Sequence, residues 1–350
     1  MAENILVIGG GPAGMQSAIL LAELGVNVSL VEREPYIGGN PKKFKYKFLF
    51  PDMQPADSVI GELIRKTEAN GNIRIYYSSE VLDFKENGKK FDVQVKSLES
   101  LNGNEIKTFD SVIVATGFEH FDPARDAKYS YQLFDDVIDI KDLERMMGEG
   151  NFNRPSNGQP PKNVAFILCV GSRDRHVGNQ YCSRVCCTVS VKQAIELKEH
   201  FPDCEVYIFY MDIRTYGFFE DLYWKAMEEH DVQIVKGRVA EITSGPNNTV
   251  ICKGEDTLLR GPFEIPFDMV VLASGMEGGP QSPEMAGKLG LELDEHGFLK
   301  PQNVTLAPFK SSKEGVFLAG ACTGPKAISD SIVEGSAAAM DAYIYAMKNK

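Results

Sequence analysis

The chain has 350 residues, enough for roughly two domains, and its 43% hydrophobic and 25% charged residues are the balance of a globular protein with a sizeable core. A net charge of −12 disfavours non-specific binding to nucleic acid or to an anionic membrane surface. No apolar run approaches the ~20 residues that span a bilayer, and the N-terminus enters a strand pattern with no basic region or cleavage signal, so a cytoplasmic protein is expected.

Asn4 to Ile8 is a short apolar run, as a buried parallel strand requires. Gly9-Gly10-Gly11-Pro12-Ala13-Gly14 follows, then a helical pattern from Met15 to Leu24 and a second strand from Val26 to Val31, closed by Glu32. This is G-x-G-x-x-G in a strand–turn–helix setting. Gly9 makes the turn, Gly11 lets the backbone approach a pyrophosphate, and Gly14 lets the helix pack on the strand. The helix N-terminus faces the phosphates, and Glu32 can bond a ribose hydroxyl. Gly38-Gly39-Asn40 is a further glycine turn, and Pro41 to Lys47 (PKKFKYK) is a basic–aromatic island in an acidic chain. The island reads either as a solvated loop or as a contact for flavin or a partner protein.

Val112 to Gly117 (VIVATG) is another buried strand. The Pro- and Gly-rich stretch Asn151 to Pro161 reads as a boundary and as the one flexible segment. A second βαβ pattern begins there: strand Asn163 to Leu168, helix from about Val185 to His200, strand Glu205 to Tyr210. Its glycine fingerprint is missing. Cys169-Val170-Gly171-Ser172-Arg173 stands where the first glycine belongs, so binding of NAD(P)H is not expected here. Asp268 to Ser274 closes the pattern. The chain then supplies a late strand, GVFLAG (Gly315 to Gly320), and a helical pattern from Ser331 to Ala346.

Together these segments resemble the glutathione-reductase and thioredoxin-reductase class of flavoproteins, over nearly the whole chain. The resemblance implies an α/β fold with two dinucleotide-binding, Rossmann-like domains, the second degenerate. It implies FAD on Gly9, Gly11, Pro12, Ala13, Gly14, Glu32, Arg33, Gly38, Gly39, Asn40, Val81, Ala115, Thr116, Gly117, Gly320, Ala321, Lys326, Ala327 and Ile328. In that class an acidic residue after the late strand touches the ribityl chain; here the position is Ala321. The expected FAD domain is residues 1–122 with 281–350, and the inserted domain is 123–280.

Four of the seven cysteines, Cys169, Cys182, Cys186 and Cys187, fall within nineteen residues. In a reducing compartment such clusters more often bind metal or do redox chemistry than form structural bridges. Adjacent Cα atoms are ~3.8 Å apart, short of the ~4.4–6.8 Å of a relaxed disulfide. No C-x-x-C is present for a catalytic dithiol. Zinc remains open, with His176 at hand, although the spacing is unlike a knuckle pair. A [4Fe–4S] cluster also remains open: the count is right, Cys182 and Cys186 share a face if helical, a helix N-terminus favours thiolates, and Arg173, Arg175, Arg184 and Lys192 add positive charge.

The run CVGSRD…YCSRVCC and the later FLAG…GPK are similar to the flavin-carrying A subunit of heterodisulfide reductases. That resemblance implies one [4Fe–4S] cluster on the four cysteines in the degenerate domain, beside FAD. It also implies a homodimer and iron–sulfur partners similar to the B and C subunits of those enzymes. The function expected is an electron-transfer subunit converting two-electron into one-electron transfer. The form found in sulfur-oxidising bacteria is preferred to the quinone-interacting sulfate-reducer type, because no extra cysteines follow Gly39. A stand-alone NAD(P)H-dependent disulfide reductase would need the two motifs that are missing. Lys326 is expected to tune the flavin and Lys192, more weakly, the cluster; the alternative for each is an ordinary salt bridge. Cys204, Cys252 and Cys322 read as single thiols. The histidines at 120, 176, 200, 230 and 296 are dispersed.

Overall fold

The computed structural model describes residues 4–99 and 104–349. Residues 1–3 and 350, which belong to the expected FAD domain, lie outside the described residues, as do residues 100–103. The chain divides into two compact units. One comprises Met1–Lys43, Asp57–Glu119 and Glu277–Lys350; the other comprises Phe44–Ala56 and His120–Met276. The basic–aromatic island is thus split, and its second half packs with the second unit.

The first unit is built on a five-stranded parallel sheet in the order Val316–Leu318, Ser111–Val114, Asn4–Ile8, Asn27–Val31, Ile73–Tyr76. Both faces are covered, which is why its strands read as continuous apolar runs rather than alternating ones. Ile5 and Val7 pack against helices Pro12–Glu23 and Ile328–Lys348. Leu6 and Ile8 face the antiparallel strands Ser79–Asn87, Lys90–Ser97 and Asn104–Phe109. The two long helices touch at small residues. Ser17 Oγ donates to Gly335 O at 2.8 Å, and a Cβ at Gly335 would lie 2.4 Å from Ala13 O.

The second unit repeats the parallel βαβ theme and then departs from it. Its seven strands run in the order Val137–Asp139, Met269–Ser274, Asn163–Val170, Glu205–Tyr210, Gln233–Ser244, Val250–Asp256, Gly261–Phe267. Pairing is parallel as far as Gln233–Ser244 and antiparallel beyond. Val164, Phe166 and Leu168 face helices Ile140–Gly148 and Cys186–His200. Ala165, Ile167 and Val170 face a second core.

The stretch expected to be flexible is anchored instead. Phe152 is buried, and the buried Arg154 guanidinium donates to Asp136 at 2.7 Å and Asp268 at 3.0 Å. Composition marks a boundary but cannot show that one arginine inside it is held by two carboxylates, the buried Asp136 and the partly buried Asp268. No helix among the described residues is long and apolar enough to cross a membrane.

Candidate functional site

In the first unit the chain passes from strand to helix in three residues, 9–11. Gly9 has φ +106°, and a Cβ there would meet Ala115 O at 2.4 Å; a Cβ on Gly14 would lie 1.9 Å from Gly9 O. Both are therefore required by the turn itself. Gly11 differs: a Cβ there meets nothing within 4 Å. The open space lies at the N-cap of helix Pro12–Glu23, with Pro12 at the first helical position and the following N–H groups unpaired within the helix. An open helix N-terminus of this kind can receive a phosphate group. Gly38 N donates to Gly10 O at 2.8 Å, and a Cβ on Gly39 would stand 3.0 Å from Gly11 Cα. The second glycine turn therefore borders the first.

Glu32 accepts from Gly10 N at 2.7 Å and from Glu34 N at 2.8 Å. Its carboxylate braces the turn; burial raises its pKa against the lowering effect of these N–H groups. Arg33 and Thr116 are exposed, Ala115 is buried, and Gly117 has φ +75°. Asn40 is half-buried in the short helix Gly39–Lys43. Val81 is buried in its strand, with its carbonyl bonded to Lys288 Nζ at 2.8 Å.

The late strand leads through Gly320 and the buried Ala321 into helix Ile328–Lys348. A Cβ on Gly320 would come within 2.7 Å of Ala13 Cβ, which brings this turn against the glycine-loop helix. Lys326 is buried, and its Nζ is held by Glu334 at 2.6 and 2.8 Å and by Thr323 Oγ1 at 2.7 Å. Of the two readings offered for Lys326, a charge that tunes the flavin or an ordinary salt bridge, the structure shows an ion pair. Glu334 also accepts from Gly320 N at 3.0 Å. Asp330 takes the N–H of Ala327 at 3.2 Å, so of the two expected flavin-facing donors that of Ala327 is already engaged. Ile328 stands at the first helical position, where an N–H has no partner within the helix.

In the second unit the same connection takes fifteen residues, 171–185. Cys169 sits at the end of its strand with φ +62°, and Gly171 at φ +68° is required because a Cβ would lie 2.0 Å from the Phe121 ring. Cys186 and Cys187 open the helix; Cys182 lies before it. Cys182 and Cys186 would share a face only if both were helical; the helix begins at Cys186, near the expected Val185, and Cys182 stands in the loop before it.

The four thiols act on one another electrostatically. Burial pushes Cys169 up to about 11, aided by Cys187 and Cys182 and opposed by Arg173. Cys186 donates to Cys187 and is raised, while Cys187 is lowered by the same bond, so the adjacent pair shares a proton. Hydrogen-bond donors surround the sulfurs. Arg173 Nη1 lies 4.0 Å from Cys169 Sγ, the N–H of Arg184 donates to Cys182 Sγ at 3.3 Å, and the N–H of Arg214 reaches Cys187. Arg173 is also paired with Asp212. Arg175 and His176 are exposed, and His176 donates its N–H to Asp174. Among the described residues, no three of His, Cys, Asp and Glu are drawn together to hold a metal ion. A four-iron cluster sets its thiolates wider apart than a single ion does, so four mutually interacting thiols, three buried and Cys182 half-buried, still fit that donor set. The other three cysteines are isolated: burial pushes Cys204 and Cys252 up to about 12 and Cys322 to about 11.

Lys192 does not lend a free charge to the thiols. It is buried on helix Cys186–His200, bonded to Glu144 at 2.6 Å and to Phe48 O at 3.1 Å, with Glu196 at 3.7 Å. Neither Glu144, on another helix, nor Glu196 was picked out from the sequence. The only signal lay in Lys192 and Glu196 being four residues apart.

A glycine-turn dinucleotide site in one unit and a thiol-bearing loop in the matching place of the other define an oxidoreductase built on two dinucleotide-binding folds. The chain belongs to the pyridine nucleotide-disulphide oxidoreductase family, whose model matches residues 3–172 and 187–342. The intervening residues, 173–186, carry Cys182 and Cys186. Within that family the expected likeness to the A subunit of heterodisulfide reductases is borne out. The chain is 33% identical to the iron–sulfur A subunit of the CoB–CoM heterodisulfide reductase of Methanocaldococcus jannaschii, covering 96% of this chain and 63% of that protein. It is 30% identical to the A subunit of the H2:CoB–CoM heterodisulfide,ferredoxin reductase of Methanothermobacter thermautotrophicus, covering 99% and 64%. The chain thus spans less than two thirds of the length of these relatives. In fold it is similar to the thioredoxin reductase of Lactococcus lactis, with a TM-score of 0.66, 18% identity and 99% of each chain covered. The two-domain architecture expected from the sequence is the one found.

Proposed function

We propose that the chain is an FAD- and [4Fe–4S]-carrying electron-transfer subunit of a heterodisulfide-reductase-like complex. The observation that carries this reading is the replacement of the second glycine turn by a loop holding four interacting thiols. The relatives, one of them named as an iron–sulfur subunit, support it. FAD exchanges electrons in pairs or singly and a cluster one at a time, so the two bound together convert one mode into the other.

The residues do the holding and tuning. Gly11 and the N–H groups opening helix Pro12–Glu23 receive the pyrophosphate, Glu32 a ribose hydroxyl, and Gly38–Gly39 close the approach. The N–H of Ile328 points to the flavin ring. Lys326, neutralised by Glu334, holds the turn at Gly320 in place rather than acting as an isolated cation. Cys169, Cys182, Cys186 and Cys187 ligate the cluster, and the N–H donors of Arg184 and Arg214 stabilise their sulfur charge.

Sulfur-compound oxidation is the proposed setting, because no cysteine lies between Gly39 and Cys169. Cytoplasmic location, a homodimer and iron–sulfur partners similar to the B and C subunits of heterodisulfide reductases complete the proposal. The test is iron, acid-labile sulfide and zinc per flavin in protein purified without oxygen. About four iron and four sulfide per FAD support it; zinc without sulfide overturns it.

A further inference from the structure

Helix Cys186–His200 starts at two of the thiols and carries an unusual interior. Thr188 Oγ1, Ser190 Oγ, Gln193 Oε1 and both carboxylate oxygens of Glu196 are buried without a hydrogen-bond partner among the described residues, and all belong to this one helix. Thr188, Lys192 and Glu196 follow at four-residue spacing, so they share a face that begins one residue beyond Cys187.

The charges on that face do not balance. Lys192, Glu144 and Glu196 are each at most 3% exposed. One ammonium meets two carboxylates. Glu144 accepts from Lys192 at 2.6 Å and from Gln193 at 2.7 Å, while Glu196 accepts no hydrogen bond. A buried carboxylate left over in this way takes a proton rather than carry an uncompensated charge. The groups that face Glu196 are Lys192 and Glu199 on its own helix, Glu144 from helix Ile140–Gly148, and Lys47 from the segment Phe44–Ala56. Burial, the largest influence, raises its pKa to about 7, where a modest change of field alters its occupancy.

We propose that Glu196 is a redox-linked proton site: when one electron, supplied by a low-potential one-electron donor, enters at the thiols, the Glu196 carboxylate takes one proton from solvent. Charge is then conserved within the unit, since one negative charge arrives and one is neutralised. The inference rests on the cluster proposed above. Lys192 and Glu144 are positioning residues: Lys192 spends its hydrogen bonds on Glu144 and Phe48 O, and Glu196, 3.7 Å from it, is left without a hydrogen-bond donor.

The test is EPR-monitored redox titration of the anaerobic protein at about pH 6 and about pH 8, for wild type and Glu196→Gln. Nine residues of helix separate Glu196 from Cys187 by about 13 Å, and at an effective dielectric near 20 an added electron raises its proton affinity about tenfold. Tenfold converts to about 59 mV for one electron. The wild-type midpoint should therefore fall by about two thirds of that amount between the two pH values, and Glu196→Gln should be flat. A reduced-minus-oxidised infrared spectrum of the wild type should gain a protonated-carboxyl band that Glu196→Gln lacks. A wild-type midpoint independent of pH, an equal slope in Glu196→Gln, or no carboxyl band overturns the proposal, and the wild-type measurements decide even if the variant folds poorly. Protein with flavin but no iron removes the cluster and the redox link with it. An infrared pH titration of that same sample separately reports whether Glu196 holds a proton.

Discussion

From Ile8 the first unit reaches Pro12 through three residues; from Val170 the second takes fifteen to reach Cys186. The strands before and after are alike, parallel and buried, and the helices pack on the same kind of apolar face. Within this shared βαβ core the difference lies at the strand-to-helix turn, where a doubly wound fold puts its ligand. A short glycine turn brings backbone N–H groups to a point and suits phosphate. A long loop carries side chains to that point and suits soft-metal chemistry. One scaffold can thus change cargo without changing its sheet.

Breaking the short turn should have the largest effect. A valine at Gly14 would place its Cβ 1.9 Å from Gly9 O, an overlap with backbone that no rotamer relieves. Gly14→Val protein is expected to lack flavin absorbance and to be largely unfolded in its first unit by limited proteolysis. The long loop should answer differently. Cys186→Ser is expected to lose iron and sulfide while keeping its flavin, measured as metal and flavin content in one preparation; loss of flavin as well would refute the separation of cargoes. Arg154→Ala leaves Asp136 and Asp268 without their buried partner. It should cost about 3–5 kcal/mol in denaturant unfolding of the second unit.

Glu196 offers a subtler contrast. Its folded pKa, about 7, lies above its ordinary value of 4.5. The stability it contributes is therefore full below about pH 4.5 and is lost as pH rises through 7. The wild type should lose roughly 3 kcal/mol across that window relative to Glu196→Gln, read from urea unfolding at both ends. The smallest effect belongs to Lys326→Gln, which trades an ion pair to the partly exposed Glu334 for a neutral bond. It should retain flavin and lose roughly 1–2 kcal/mol in thermal unfolding.

Much of this was legible. Parallel strands announce themselves as apolar runs, and the roles of Gly9, Gly11 and Gly14 follow from where a Cβ would go. The spacing of the cysteines singled out their loop. What sequence could not show were pairings made across the fold. For Lys326 and Lys192 the sequence left tuning and a salt bridge both open, and could not name the partners Glu334 and Glu144, which stand eight and forty-eight residues away. Arg154 read as part of a mobile linker because Asp136 and Asp268 reach it from other elements. The helix start expected near Val185 is found at Cys186, so the one-face arrangement of Cys182 and Cys186, which held only if both were helical, does not apply.

The order in which the chain emerges during synthesis gives the divided first unit a temporal meaning. Its sheet includes Val316–Leu318, and its glycine-loop helix packs on Ile328–Lys348. Both come after every strand of the inserted unit's sheet, the last of which ends at Ser274. At about 5–20 residues per second, the inserted unit is complete several seconds before the residues that finish the other. The cysteine-bearing loop of the inserted unit is thus synthesised and framed by its complete sheet while the sheet that carries the glycine turn still lacks one edge strand.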